Sequence, residues 1–128
     1  MNEKDLIQRT KQFALRIIRL VSLLPKNIEG QAIGKQLIRC GTSVSANYRS
    51  ACRGRSKAEF IARLGIVEEE ADESAFWMEL IIESGLLEKQ LVEPLLQEAK
   101  ELVAIMVASR KSAKSKFTNR KSQIKNRK

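Results

Sequence analysis

The sequence predicts an all-α protein: an antiparallel up-down-up-down four-helix bundle over residues 1–111, followed by a basic, disordered C-terminal tail over 112–128. Three observations carry that reading. Apolar residues recur every three or four positions along four stretches, the period of a helix buried along one stripe. The links between the stretches are short and marked by Pro25, Gly54 and Gly85, which sets each helix antiparallel to the one before. Across 128 residues the hydrophobic content is 43%, enough for one core, and no run of about 18 apolar residues occurs that could span a membrane.

The first helix is expected from Asp5 to Leu24. Leu6, Phe13, Ile17, Leu20 and Leu24 form its stripe, widened by Ile7, Ala14, Ile18 and Val21, and Pro25 stops it. The second begins near Ile28 to Gly30 and runs to about Arg53, with Ile33, Leu37, Cys40, Val44, Asn47 or Tyr48, and Ala51 facing inward. Its remaining residues are small. Gly34 and Gly41 each cost up to ~1 kcal/mol of helix propensity, so packing must hold this helix. Close approach of a neighbour explains them, with a functional kink at Gly41 as the alternative. Cys40 and Cys52, roughly 18 Å apart on that helix, cannot bridge each other and are read as core fillers.

The turn Cys52-Arg53-Gly54-Arg55-Ser56 places a glycine where a helix can end in a left-handed conformation, then a serine suited to cap the next. Ser56 and Glu59 read as a capping box, the serine oxygen accepting from the Glu59 amide and the carboxylate reaching back to the serine amide. The third helix then runs from Lys57 to about Ser84, with Phe60, Leu64, Val67, Ala71, Ser74, Met78 and Ile81 as the bundle seam. Ile66, Phe76, Trp77 and Leu80 fall partly outside it, Phe76 and Trp77 on different faces, and are assigned to an interface between copies of the chain. Ser84-Gly85 ends the helix and Leu86-Leu87 folds back as a cap. Pro94 suits the first turn of a fourth helix, with Val92 or Glu93 just before it, and Leu95, Ala99, Leu102, Val103, Met106 and Val107 give the fourth stripe. Beyond Lys111 the chain is polar, basic and nearly free of apolar residues.

Ser43-Val44-Ser45-Ala46-Asn47, the basic turn, and Arg55-Ser56-Lys57-Ala58-Glu59-Phe60-Ile61 with the Glu-rich helix that follows resemble the bacterial four-helix bundle family associated with intervening sequences in 23S ribosomal RNA genes. The accessory variability proteins of diversity-generating retroelements look like relatives of that family. The resemblance spans roughly residues 5 to 113 and implies the bundle, a homo-oligomer with five copies the favoured number, and a reverse transcriptase as a conceivable partner. Many members continue the Ala-Asn segment with Ile-Ala-Glu-Gly, whereas this chain has Tyr48-Arg49-Ser50-Ala51, so the role of that glutamate is not carried over.

Function has to be argued from charge. The net charge of +9 divides into +9 over residues 1–57, −9 over 58–109 and +9 over 110–128. Glu68, Glu69, Glu70, Asp72, Glu73, Glu79 and Glu83 cluster on one helix, with no histidine and no Glu-x-x-His elsewhere, so they suit a solvated or ion-pairing face better than a metal centre. Without histidine the serines and cysteines have no evident base, and no glycine-rich phosphate loop occurs, so no enzyme and no cofactor are expected. The basic residues are the lead. Arg49, Arg53, Arg55 and Lys57 surround the turn, Arg9, Arg16 and Arg19 lie on the first helix, and the tail adds Arg110, Lys111, Lys114, Lys116, Arg120 and Lys121. Such positive density suits RNA or DNA phosphates, and with Phe117 alone in the tail, base stacking is not indicated. The alternative is a structural oligomer whose basic face pairs with the acidic helices of the next copy. The amino terminus lacks the apolar core of a secretory signal, which makes the cytoplasm the expected location and leaves no membrane partner.

Overall fold

The structure is a computed structural model that describes the backbone of residues 1–126 and the side chains of residues 1–120. Four helices follow in order: α1 (Glu3–Val21), α2 (Ile28–Cys52), α3 (Lys57–Glu83) and α4 (Lys89–Asn126). Each packs against the next, and α1 meets α4 along the thinnest of the four seams, closing the up-down-up-down ring.

Helix α1 starts two residues earlier than the apolar stripe suggests, because Asn2 and Asp5 form a reciprocal cap. The Asn2 side chain accepts from the Asp5 amide at 2.8 Å and the Asp5 carboxylate accepts from the Asn2 amide at 3.4 Å. It ends at Val21, four residues short of Pro25, while Leu24 remains buried. In α2 the Asn27 side chain accepts from the Gly30 amide at 2.8 Å. The helix runs unbroken through Gly41, where a methyl would sit 2.7 Å from Cγ1 of Ile17; at Gly34 one would sit 3.0 Å from Cγ1 of Val21. The small residues therefore serve close approach of α1. Tyr48, not Asn47, points into the core, and the half-buried Asn47 amide donates to the Ser43 carbonyl at 3.0 Å.

The α2–α3 turn corrects one expectation. Gly54 is not left-handed: among the described residues the positive φ belongs to Gly85, at 75°. The Arg53 and Gly54 amides donate to the Ser50 and Ala51 carbonyls, each at 3.1 Å, an i to i+3 pattern that tightens the helix end without reversing its hand. Space also limits this position, since a Cβ on Gly54 would lie 3.1 Å from the Ala51 carbonyl oxygen. Ser56 caps α3 as expected, accepting from the Glu59 amide at 3.1 Å, but the Glu59 carboxylate returns to the amide of Arg55 at 3.2 Å rather than to that of Ser56. At the other end of α3 the Leu86 amide donates to Ile81 and the Gly85 amide to Ile82, both at 3.1 Å, and Leu86 and Leu87 pack on the core.

Helix α4 begins at Lys89, so Pro94 lies inside it rather than in its first turn. Proline there leaves the carbonyl four residues back, on Gln90, without its helical donor. The helix also continues through residues 112–126, where the sequence suggested disorder. No glycine or proline interrupts the segment, and a helix already nucleated by the bundle extends at little cost per residue. Ala113 is buried and Phe117 half-buried, one turn apart on the core-facing stripe of α4. The last part of the expected tail, residues 127–128, lies outside the described residues.

The core is apolar from end to end, with Phe13, Ile17, Leu37, Val44, Leu64, Val67, Met78, Ile81, Leu102 and Met106 fully enclosed. The buried threonine and serine hydroxyls are satisfied locally. Thr10 donates to the Leu6 carbonyl and Ser74 to the Glu70 carbonyl, each at 2.8 Å. Both cysteines are free, and burial pushes the Cys40 and Cys52 thiols above their ordinary range.

Candidate nucleic-acid interface

Apart from Arg63, which pairs with Glu59 one turn away on α3, the helices sort the basic residues into two groups. In the first, each arginine is committed to a carboxylate on another helix. Arg9 of α1 holds Glu98 of α4 with two bonds, Nε to Oε2 at 2.8 Å and Nη2 to Oε1 at 2.7 Å, and reaches Glu101 at 3.1 Å. These carboxylates, Glu98 first, raise the affinity of the guanidinium for its proton. Arg39 of α2 bonds Glu73 and lies 3.3 Å from Glu70, both on α3. Arg110 of α4 meets Glu68 of α3 at 2.8 Å. Arg9 and Arg110, placed with the phosphate-binding group on sequence grounds, are thus engaged within the fold.

The second group has no carboxylate partner among the described residues. Of the cations that the sequence assigned to phosphate, it includes Arg49, Arg53, Arg55 and Lys57 around the α2–α3 turn, Arg16 and Arg19 on α1, and Lys111, Lys114, Lys116 and Arg120 on α4. Up-down-up-down topology brings much of this set to one end of the bundle. There α1 begins, α2 ends, α3 begins and α4 passes outward, and Lys57 and Lys116 from α3 and α4 line one cleft with the first residues of α1. Arg55 and Lys57 border the turn itself. Arg16 and Arg19 lie further along α1 and are not brought to this end. Lys121 lies outside the residues whose side chains are described.

Around the corner, Arg49 and Arg53 line a groove of about 470 Å³ between α1 and α2, joined by Lys11 and by Thr42 and Ser45. Lys11 was missed by sequence reasoning. Its signal was its place between Ile7 and Ala14, which puts it on the flank of the α1 stripe that faces α2. Phe60, read only as the start of the α3 seam, is half-buried at the mouth of the end cleft, one turn from Lys57.

The residues assigned to self-association occupy the outer side of α3. Ile66 is 40% and Phe76 50% exposed, while Trp77 and Leu80 are half-buried. Phe76 and Trp77 do not part company as expected: their rings meet edge to face with centroids 5.1 Å apart, and the Trp77 Nε1 donates to Glu73 at 3.1 Å. The face is therefore an aromatic pair beside the Arg39–Glu73 contact. Among the described residues, no helix is long and apolar enough to cross a membrane.

The model of the 23S rRNA-intervening sequence protein family matches residues 2–108. Among solved structures, one of a protein with unknown function from the S23 ribosomal protein family of Bacteroides thetaiotaomicron VPI-5482 is 30% identical in sequence and superposes with a TM-score of 0.80, covering 87% of this chain and 99% of that one. No curated protein matches the chain.

Proposed function

Because the chain belongs to the 23S rRNA-intervening sequence protein family, we propose that it is a non-enzymatic accessory protein that assembles into a homo-oligomer and binds RNA or DNA through phosphate contacts at its basic end. The observation that carries this reading is the division of its cations. Of the acids that could attract the basic face of a neighbouring copy, Glu68, Glu70, Glu73, Glu98 and Glu101 already hold Arg110, Arg39 and Arg9 of their own chain, which leaves Glu69, Asp72, Glu79 and Glu83 on α3 without an ion pair among the described residues. Arg49, Arg53, Arg55 and Lys57 are left for an anion from outside, and phosphate backbones supply one at regular spacing. The outer α3 face with Ile66, Phe76, Trp77 and Leu80 serves assembly, which multiplies the basic ends and turns weak contacts into avid ones. The family resemblance adds a ring of five as the number to test, and the retroelement relatives a reverse transcriptase as the protein partner.

The test replaces Arg53, Arg55 and Lys57 together by glutamate. Retention on RNA and DNA should fall by at least about 100-fold at low salt, with the mass by light scattering unchanged. For the unaltered protein, log K should fall with log salt by about 0.7 to 0.9 per phosphate contacted. Dissociation of the oligomer by the triple variant would assign these cations to assembly, and failure of the unaltered oligomer to bind either nucleic acid at low salt would sink the proposal.

A further inference from the structure

The end of the bundle is not closed over. Where α4 leaves it, a cleft of about 420 Å³ opens between the start of α1, the last turns of α2, the first turn of α3 and the α4 extension, within the ~300–1,000 Å³ range of small-ligand sites. Its floor is apolar: Leu6, Tyr48 and Ala113 are all at least nine-tenths buried. Burial pushes the Tyr48 phenol well above its ordinary range, so the floor stays uncharged. One aromatic ring, Phe60, is left half-open at the mouth. Lys57 stands one turn before Phe60 on α3 and Lys116 one turn beyond Ser112 on α4, so two cations without carboxylate partners among the described residues flank that ring from different helices. Among the described residues, Glu3 is the one acid that lines the cleft.

An apolar slot with one open aromatic ring and a lysine on either side matches a flat, uncharged ring attached to a phosphate. The geometry points to a seat for one unstacked nucleotide, its base against Phe60 and its phosphate between Lys57 and Lys116. This rests on the nucleic-acid reading above and narrows it: bases inside a duplex are stacked and cannot enter such a cleft, so single-stranded segments and frayed ends are the ligand class. It also supplies the stacking element that the tail sequence, with Phe117 alone, did not reveal.

The experiment titrates the full chain with a short fluorescent unstructured RNA and with a blunt duplex of the same sequence, at one salt concentration. The unaltered protein should prefer the single strand. Phe60→Ala should weaken single-strand binding about tenfold, leave duplex binding within about twofold and leave the salt slope unchanged, since the ring carries no charge. Ser112→Phe, at an exposed position on the rim, should fill the cleft and produce the same selective loss with thermal unfolding as in the unaltered protein, which keeps the test valid if Phe60→Ala folds poorly. Equal losses on both RNA forms, or no loss with Ser112→Phe, would overturn the cleft while leaving phosphate binding at the basic end intact. Absence of binding to either form would overturn both readings.

Discussion

The outer flank of α3 and the turn end of the bundle are both densely charged, yet their charges have different fates. On the flank, Glu68, Glu70 and Glu73 are each met by an arginine from the helix on the corresponding side, Arg110 from α4 and Arg39 from α2. Around the turn, Arg49, Arg53, Arg55 and Lys57 make no ion pair with a carboxylate among the described residues, although Glu59 is nearby and spends its oxygens on the Arg55 amide and on Arg63. Charge that a fold consumes is matched across helices. Like charge that a fold leaves unmatched costs stability, and an external anion would relieve it. Net charge alone could not separate the two cases; the pairing does.

Substitutions should rank the cations by how far the fold relies on them. The largest effect is expected for Arg9→Met, which strands Glu98, only 15% exposed, and removes the two-bond link across the thin α1–α4 seam. A loss of about 1–3 kcal/mol in chemical denaturation is expected, with faster amide exchange in α1. Arg110→Gln and Arg39→Gln break more exposed pairs and should each cost below about 1 kcal/mol, measurable as a coupling energy in double-mutant cycles with Glu68→Gln and Glu73→Gln. Arg53→Gln and Arg55→Gln should stay within about 0.5 kcal/mol of the unaltered protein while weakening nucleic-acid binding. If Arg53→Gln destabilised the bundle as much as Arg9→Met, the contrast between committed and available cations would collapse.

Most of the bundle was legible in the sequence, because its helices obey one rule. The α3 seam from Leu64 through Val67, Ala71, Ser74 and Met78 to Ile81 is buried residue by residue as the four-and-three spacing requires, and the glycines of α2 mark the close approach of α1. The departures arise where local preference is weak. Gly54 can adopt either hand, and the tightened end of α2 chose the ordinary one. Pro94 is as compatible with the second turn of a helix whose start is set by packing as with the first. The extension past Lys111 is polar enough to be unfolded alone, and is helical because α4 is already under way. The candidate site was half legible. Its residue types and the basic turn could be named, but whether Arg9, Arg39 and Arg110 face a carboxylate depends on how four helices are juxtaposed, which no spacing along the chain encodes. The end cleft was invisible for the same reason, since Leu6, Tyr48, Phe60 and Ala113 belong to four different helices.

Removing residues 112–128 bears on the comparison most directly, because that segment extends the available cations away from the core. Among its described residues Ala113 is buried and Phe117 half-buried, so truncation removes about one methyl and part of one ring from burial, on the order of 1–2 kcal/mol, and should lower the unfolding temperature by less than about 10 °C. Binding should respond more strongly. Loss of Lys114, Lys116 and Arg120 should flatten the salt slope by up to about 0.7 to 0.9 for each lysine or arginine that reaches a phosphate, and loss of one wall of the end cleft should remove the preference for single strands. A large drop in stability with unchanged salt dependence would show instead that the extension is packed in the manner of the acidic flank, and its cations would then count among those the fold consumes.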